Sequence, residues 1–391
     1  MMEVFNMKEE ELSQLGAAVT TNEIKQQPIL WQEALDNYMA KQTEINQFLA
    51  EIKQVKPIRV IFTGAGTSAY VGDTVLPYLK GKMDETIWNV MSIPTTDLVS
   101  NPTDFFKAEI PTLLVSFARS GNSPESLAAV KLGQQIVNEF YQLTITCAAD
   151  GVLAEQAVGD KRNLVLLMPE KSNDKGFAMT GSFTCMTLTT LLVFDSLITT
   201  KKVDYVQKLI QLGEDVLKRE EEIQKIIELD FNRVIYLGSG SLAGLTREAQ
   251  LKLLELTAGK IATVFDSSMG FRHGPKSFVN DKTLVVVFVS NDPYTRQYDL
   301  DILDELSKDQ IAEYVGGLMV PKEANYEGNH FAYLESGSIL PDGYLALAYV
   351  IFAQMVALKA SIKVENLPDT PSPTGTVNRV VQGVTIHPLI K

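Results

Sequence analysis

The chain has 391 residues, 45% of them hydrophobic, enough to supply more than one core, so two domains are expected. Acidic residues outnumber basic ones 48 to 35, giving a net charge of -13 with no long basic block, which argues against a nucleic-acid partner. The start, "MMEVFNMKEEELSQLG", lacks the basic end and apolar middle of a signal peptide, and no uninterrupted apolar run reaches spanning length. A cytoplasmic protein with no membrane partner is expected.

In chain order, residues 1–50 read as an N-terminal helical arm, with Thr20 or Thr21 as a cap and apolar positions at helical spacing interrupted by Pro28. Residues 51–200 carry the short apolar runs "IRVIFTG", "TIWNVMSI", "TLLVSFA", "QLTITCAA" and "NLVLLMP", separated by stretches long enough for crossover helices. That pattern predicts an α/β domain with a parallel sheet flanked by helices. Residues 201–230 are charged with apolar positions at helical spacing, and read as one long connecting helix. Residues 231–391 begin the strand pattern again. "RVIFTGAGTSAYVGD" (59–73) aligns without a gap on "RVIYLGSGSLAGLTR" (233–247), and "TLLVSFARSGNSPES" (112–126) on "TLVVVFVSNDPYTRQ" (283–297), which suggests a duplicated unit.

Gly64, Gly66 and Ala69 have the G-x-G-x-x-A spacing of a dinucleotide turn, but the acidic residue that should close the second strand is missing: Asp84 and Glu85 precede that strand. A plain phosphate site suits the stretch better, since Thr67 and Ser68 stand where a helix begins after a tight glycine turn. A second hydroxyl-rich loop sets Ser120, Asn122 and Ser123 around Gly121. Either loop alone is equally an ordinary strand-to-helix turn, in which Gly, Ser and Asn are favoured as turn and cap residues; the two together favour an anion.

Further on, "REAQLKLLELTAGK" puts Glu248, Lys252, Glu255 and Gly259 on one helical stripe, making Lys252 and Glu255 neighbours. The commoner meaning of such a stripe is a solvated surface with ion pairs. Thr246, Arg247, Gln250 and Thr257 line the opposite side, so either stripe could face water. His273 sits on a loop in "MGFRHGPKS", where a lone histidine is more often structural or merely exposed. Cys147 and Cys185 form no C-x-x-C pair, and His273, His330 and His387 lie far apart. Neither disulfide, metal nor cofactor is expected.

"GAGTSAYVG" with "FARSGNSPES" resembles the two phosphate-gripping loops of sugar isomerase (SIS) domains, the second being a variant of their S-x-S-G-x-T pattern. The likeness extends over roughly residues 45 to 390 as two SIS copies. "TTNEIKQQPILW", "NDKGFAMTGSFTCM", "FRHGPKSF" and "VNRVVQGVTIHP" resemble the AgaS branch, described as galactosamine-6-phosphate deaminase/isomerase or tagatose-6-phosphate ketose/aldose isomerase. The resemblance implies two tandem SIS domains and a sugar-phosphate substrate. The same arrangement forms the isomerase half of glucosamine-6-phosphate synthase, but this chain has no N-terminal amidotransferase cysteine.

Matched loop by loop, the synthase's phosphate contacts fall on Ser68, Ala118, Arg119, Ser120 and Ser123, with Thr67 and Asn122 beside them. Ala118 departs by replacing a serine, while Arg119 offers a charged fork suited to phosphate oxygens. Gly66 and Thr180 fall against the sugar. The carboxylate that moves a proton between C1 and C2 falls on Glu255, with Lys252 stabilising the enediol-like intermediate. The ring-opening acid/base falls on His273, which in the synthase comes from a neighbouring subunit and so implies a homo-oligomer, at least a dimer. Gln382 falls where the synthase has a Schiff-base lysine, and glutamine forms no Schiff base, which leaves ring opening to His273 with Arg379 nearby in sequence. A plain aldose/ketose isomerase would use the same residues. A non-catalytic sugar-phosphate sensor is disfavoured by the absence of a helix-turn-helix or basic region.

Overall fold

The computed structural model describes residues 7–55, 57–322, 326–379, 381 and 383–390. Gln382 lies outside them. Backbone contacts divide the chain into two compact units. One comprises Leu30–Asp174, Gly181–Leu197 and the tail from Val377; the other comprises the residues up to Ile29, Lys175–Thr180 and Ile198–Thr376.

The first sheet contains β1 (Ile58–Thr63), β2 (Trp88–Ser92), β3 (Thr112–Ala118), β4 (Phe140–Thr146) and β5 (Asn163–Leu167), all parallel, in the order β2-β1-β3-β4-β5. The second contains β6 (Arg233–Gly238), β7 (Ala262–Ser267), β8 (Thr283–Phe288), β9 (Tyr314–Met319) and β10 (His330–Ala332), also parallel, in the order β7-β6-β8-β9-β10. Reading each sheet from its own second strand gives the same order, 2-1-3-4-5. The near-continuous apolar runs explain the architecture, because a parallel strand is covered on both faces by its crossover helices. β3 and β8 are accordingly buried at every residue, whereas the edge strand β7 is exposed or half-buried throughout. Order 2-1-3-4-5 leaves a switch point beside the first strand of each sheet, where the loops after its neighbours open together.

Three local expectations change. Thr20 and Thr21 do not cap a helix: they lie inside the Ala18–Lys25 helix and are fully buried. The amides of Val19 and Thr20 donate instead to the Asp369 carboxylate at 3.1 and 2.8 Å, a cap supplied from so far along the chain that no local pattern reveals it. Pro28 occupies the first turn of the Gln27–Ile52 helix, where its missing N–H costs nothing. The connecting segment is two helices, Thr199–Lys218 and Glu220–Ile227. Arg219 breaks them, its guanidinium tied to Asp215 at 3.1 Å, Glu222 at 2.8 Å and the Ala332 carbonyl at 2.6 Å.

The Asp342–Lys363 helix is long and apolar enough to cross a membrane by length and composition, yet 94% of its apolar window is buried in the protein. It is the core helix against which the Ser241–Leu256 and Thr199–Lys218 helices pack. Gln354 interrupts its apolar middle and accepts a 2.7 Å hydrogen bond from Gln27. Cys147 and Cys185 are free and buried; burial pushes the Cys147 thiol up to about 12 and the Cys185 thiol well above its ordinary value, which favours the protonated thiol at both.

Candidate active site

In the first unit the β1 turn depends on its two glycines for different reasons. A Cβ on Gly64 would lie 2.5 Å from the Ser68 backbone, so the first glycine lets helix and strand end meet. At Gly66 a Cβ would meet nothing within 4 Å, but φ is +57°, a left-handed conformation that only glycine adopts freely. The Thr67–Lys80 helix starts there, with Thr67 and Ser68 buried in its first turn beside the end of β1. The turn has the form of an anion cradle, a helix start with hydroxyls at a strand end.

The β3 loop is built around Gly121, whose φ is +69°. Ser123 caps the Pro124–Ile136 helix, accepting from the Ser126 amide at 3.3 Å and donating to its hydroxyl at 2.6 Å. Asn122 Oδ1 accepts from the Val152 amide at 3.0 Å, which pins the loop to the one after β4. The Ser120 hydroxyl accepts from the Asn122 amide at 3.3 Å and is half-buried. Arg119 is 7% exposed, and its Nη2 donates to the Arg379 carbonyl at 2.7 Å. Arg379 in turn donates to the Asp174 carbonyl, so the C-terminal tail is bonded to the guanidinium proposed for phosphate. Thr67, Ser68, Arg119, Ser120, Asn122 and Ser123 therefore all belong to this unit.

Lys252, Glu255, His273 and Thr180 belong to the other unit. The Ser241–Leu256 helix packs along the Asp342–Lys363 helix, and the charged stripe faces inward instead of lying in solvent. Glu248 and Lys252 have side chains 0% and 1% exposed; Glu255, one turn on, is 22% exposed. Lys252 Nζ lies 2.6 Å from Glu255 Oε2 and 3.6 Å from Glu248 Oε1. Burying an ammonium costs several kcal/mol unless opposite charge answers it, and two carboxylates one turn either side do so. Arg247 and Gln250 are half-buried as well: Gln250 bonds Thr263 at 2.6 Å and Arg247 lies over the Phe265 ring. Periodicity found both stripes but could not tell that neither is a free surface. The i,i+3 and i,i+4 ion pairs of that stripe are present, Glu255 and Glu248 both meeting Lys252, but in a buried setting.

His273 ends the Gly270–His273 turn and is exposed, whereas Phe271, two residues earlier, is fully buried. Thr180 is 1% exposed and immediately precedes the Gly181–Phe194 helix. The first amides of that helix, Gly181 and Ser182, donate at 3.0 Å to the Asp174 carboxylate, so Asp174 is the cap there.

The second sheet repeats the glycine turn, with Gly238 pressed on Leu242 and Gly240 at φ +55°. Here the hydroxyls turn to a carboxylate of the protein itself. Ser239 after β6 and Ser268 after β7 donate to Asp299 Oδ1 at 2.6 and 2.5 Å, and the Ser290 amide after β8 donates to Oδ2 at 2.9 Å. Burial pushes the Asp299 carboxyl up to about 6 against the pull of these donors. Arg296, 2% exposed, completes the cluster through the Ser290 and Val320 carbonyls at 3.1 Å each.

D-galactosamine-6-phosphate deaminase AgaS of Escherichia coli is 44% identical over 379 residues, covering 94% of this chain and 95% of the relative. The protein of that name from Shewanella sp. (strain ANA-3) is 41% identical over 383 residues, covering 98% and 95%. The chain belongs to the AgaS family. A solved structure described as tagatose-6-phosphate ketose/aldose isomerase from Escherichia coli matches at a TM-score of 0.84 and 41% identity, covering 94% of this chain and 96% of that one. No protein-family model matches the chain. The AgaS-family fold is two tandem SIS domains with an N-terminal helical region.

Proposed function

We propose that this chain is a phosphosugar deaminase/isomerase that converts D-galactosamine 6-phosphate and water to D-tagatose 6-phosphate and ammonia. The observation that carries the reading is the 44% identity, over 94% of the chain, to a protein named for that deaminase. Thr67, Ser68, Arg119, Ser120, Asn122 and Ser123 bind the phosphate, and Gly66 and Thr180 contact the sugar. His273 opens the ring by moving a proton between the ring oxygen and the C1 hydroxyl, a task suited to an imidazole near neutral pH. Glu255 then takes the C2 proton and returns it at C1, leaving a C2 imine. Water adds at C2, ammonia leaves, and the ketone remains. The charge that develops during proton transfer is met by Lys252, whose Nζ lies 2.6 Å from Glu255.

The solved relative named as a ketose/aldose isomerase, 41% identical, supports a second reading in which C2 carries oxygen instead of nitrogen. The proton transfer would be the same, and tagatose 6-phosphate would interconvert with its aldose. The two readings part on one assay: ammonia release from galactosamine 6-phosphate, with glucosamine 6-phosphate as the C4 epimer. Release from the galacto sugar alone supports the deaminase. No ammonia from either sugar, with isomerisation of tagatose 6-phosphate, supports the second reading.

The proposal includes a cytoplasmic homo-oligomer, at least a dimer, with no membrane or nucleic-acid partner. Exposure of His273 in a single chain is consistent with its serving a second copy. Light scattering that gave only a 43.2 kDa species under assay conditions would remove that part.

A further inference from the structure

We infer that Glu305 is the positioning residue of the His273 loop, holding the imidazole in register through the two cations that bracket it. The inference rests on the proposed ring-opening role of His273. Around that histidine the backbone makes two short turns, Gly270–His273 and Pro275–Phe278, joined by Gly274 at φ +130°, a conformation that side-chain-bearing residues rarely adopt. Phe271 anchors one side of the joint: it lies in the same buried cluster as Ile302, Leu303 and Leu306 of the Pro293–Asp309 helix.

That same helix closes the other side. Glu305 Oε2 accepts from Arg272 Nε at 2.6 Å and Glu305 Oε1 accepts from Lys276 Nζ at 2.6 Å, so one carboxylate spans the exposed histidine and its glycine joint. Lys276 also meets Asp309, one helical turn further on, at 2.6 Å. Arg272 Nη1 reaches back to the Ser268 carbonyl at 3.3 Å. Pairing with Lys276 and Arg272 holds the Glu305 carboxyl below its ordinary range, so the clamp stays charged throughout the neutral region. A carboxylate that grips both flanks of a loop but does not touch its reactive group acts on geometry, and small displacements of a proton-transfer group cost rate. With Glu305 gone, Lys276 keeps Asp309, while Arg272 loses the one ion-pair partner it has among the described residues and keeps only neutral contacts within its own loop.

Glu305→Gln keeps the size of the side chain and removes its charge. The chain has only three histidines, so histidine-selective isotope labelling gives a spectrum in which each imidazole can be followed. In Glu305→Gln the His273 resonance should shift or broaden while those of His330 and His387 stay in place. The kcat for galactosamine 6-phosphate should fall about tenfold or more with KM within about twofold, the split expected of a misplaced proton-transfer group. A His273 resonance unchanged from wild type, or a shifted resonance with unchanged kcat, overturns the inference. If the wild-type protein turns over neither amino sugar phosphate nor tagatose 6-phosphate, the ring-opening role falls instead. The His273 resonance in Glu305→Gln then still decides whether the clamp exists.

Discussion

The two sheets have the same strand order and a positive-φ glycine after their first strand, yet the side chains on the loops beside it differ. In the first, Thr67 and Ser68 begin the helix after β1, and the loop after β3 carries Ser120, Ser123 and the buried guanidinium of Arg119. In the second, three adjacent loops converge on the protein's own carboxylate, Asp299. The second turn thus meets a carboxylate of the protein itself, and Lys252 and Glu255 lie on a largely buried helix of the same unit. The lesson is that a glycine turn reports a capacity for anions, while the occupant is decided by a residue elsewhere, here 60 positions after Ser239.

The largest expected effect lies on the charged helix. Lys252→Ala leaves Glu248 and Glu255 without their cation in a buried setting and should destabilise the fold by about 3–5 kcal/mol, measured by urea denaturation. A change under about 1 kcal/mol would mean that water reaches the pair, as on an ordinary surface.

Asp299 gives the next effect and a pH test of the filled crevice. Its folded pKa, about 6, lies above its unfolded value, so its contribution to stability is greatest below the unfolded value and is lost as pH rises through the folded one. The stability of wild type minus that of Asp299→Asn should therefore fall by roughly 2–3 kcal/mol between about pH 4 and pH 6.5 and stay flat above. A difference independent of pH would mean that the carboxylate is solvated.

Binding should separate the two crevices as well. Arg119→Ala should weaken galactosamine 6-phosphate by roughly tenfold to a hundredfold in a calorimetric titration, the worth of a charge-assisted hydrogen bond. Ser239→Ala, in the second crevice, should leave the affinity unchanged. Equal losses would merge the two crevices into one function. The finest contrast uses the paired glycines. Gly66→Ala and Gly240→Ala each meet open space and a positive φ, so each should cost about 1–2 kcal/mol of stability. Only Gly66→Ala should also weaken sugar-phosphate binding.

Much of this was legible in the sequence. The short apolar runs mark all five strands of the first sheet and β6 and β8 of the second, whereas the three-residue β10 is too short to form such a run. The parallel sheets were expected but the strand order was not legible, since periodicity says nothing of which strands are neighbours. The glycine turns, the Lys252–Glu255 spacing and the His273 loop were visible as patterns. What was hidden depends on distant partners: Asp369 capping a helix near the N-terminus, Asp299 filling the second crevice, and the packing that turns a solvated-looking stripe into a buried ion triad. Local sequence carries the period of a helix face, but not the element that will cover it.

The most direct measurement is made on Glu255→Gln with galactosamine 6-phosphate, following binding by calorimetry and ammonia in the same sample. The account predicts binding close to the wild-type affinity with ammonia release lowered roughly 10²–10⁴-fold, as expected for loss of the proton-transfer group. Ammonia released at the wild-type rate would remove Glu255 from the chemistry.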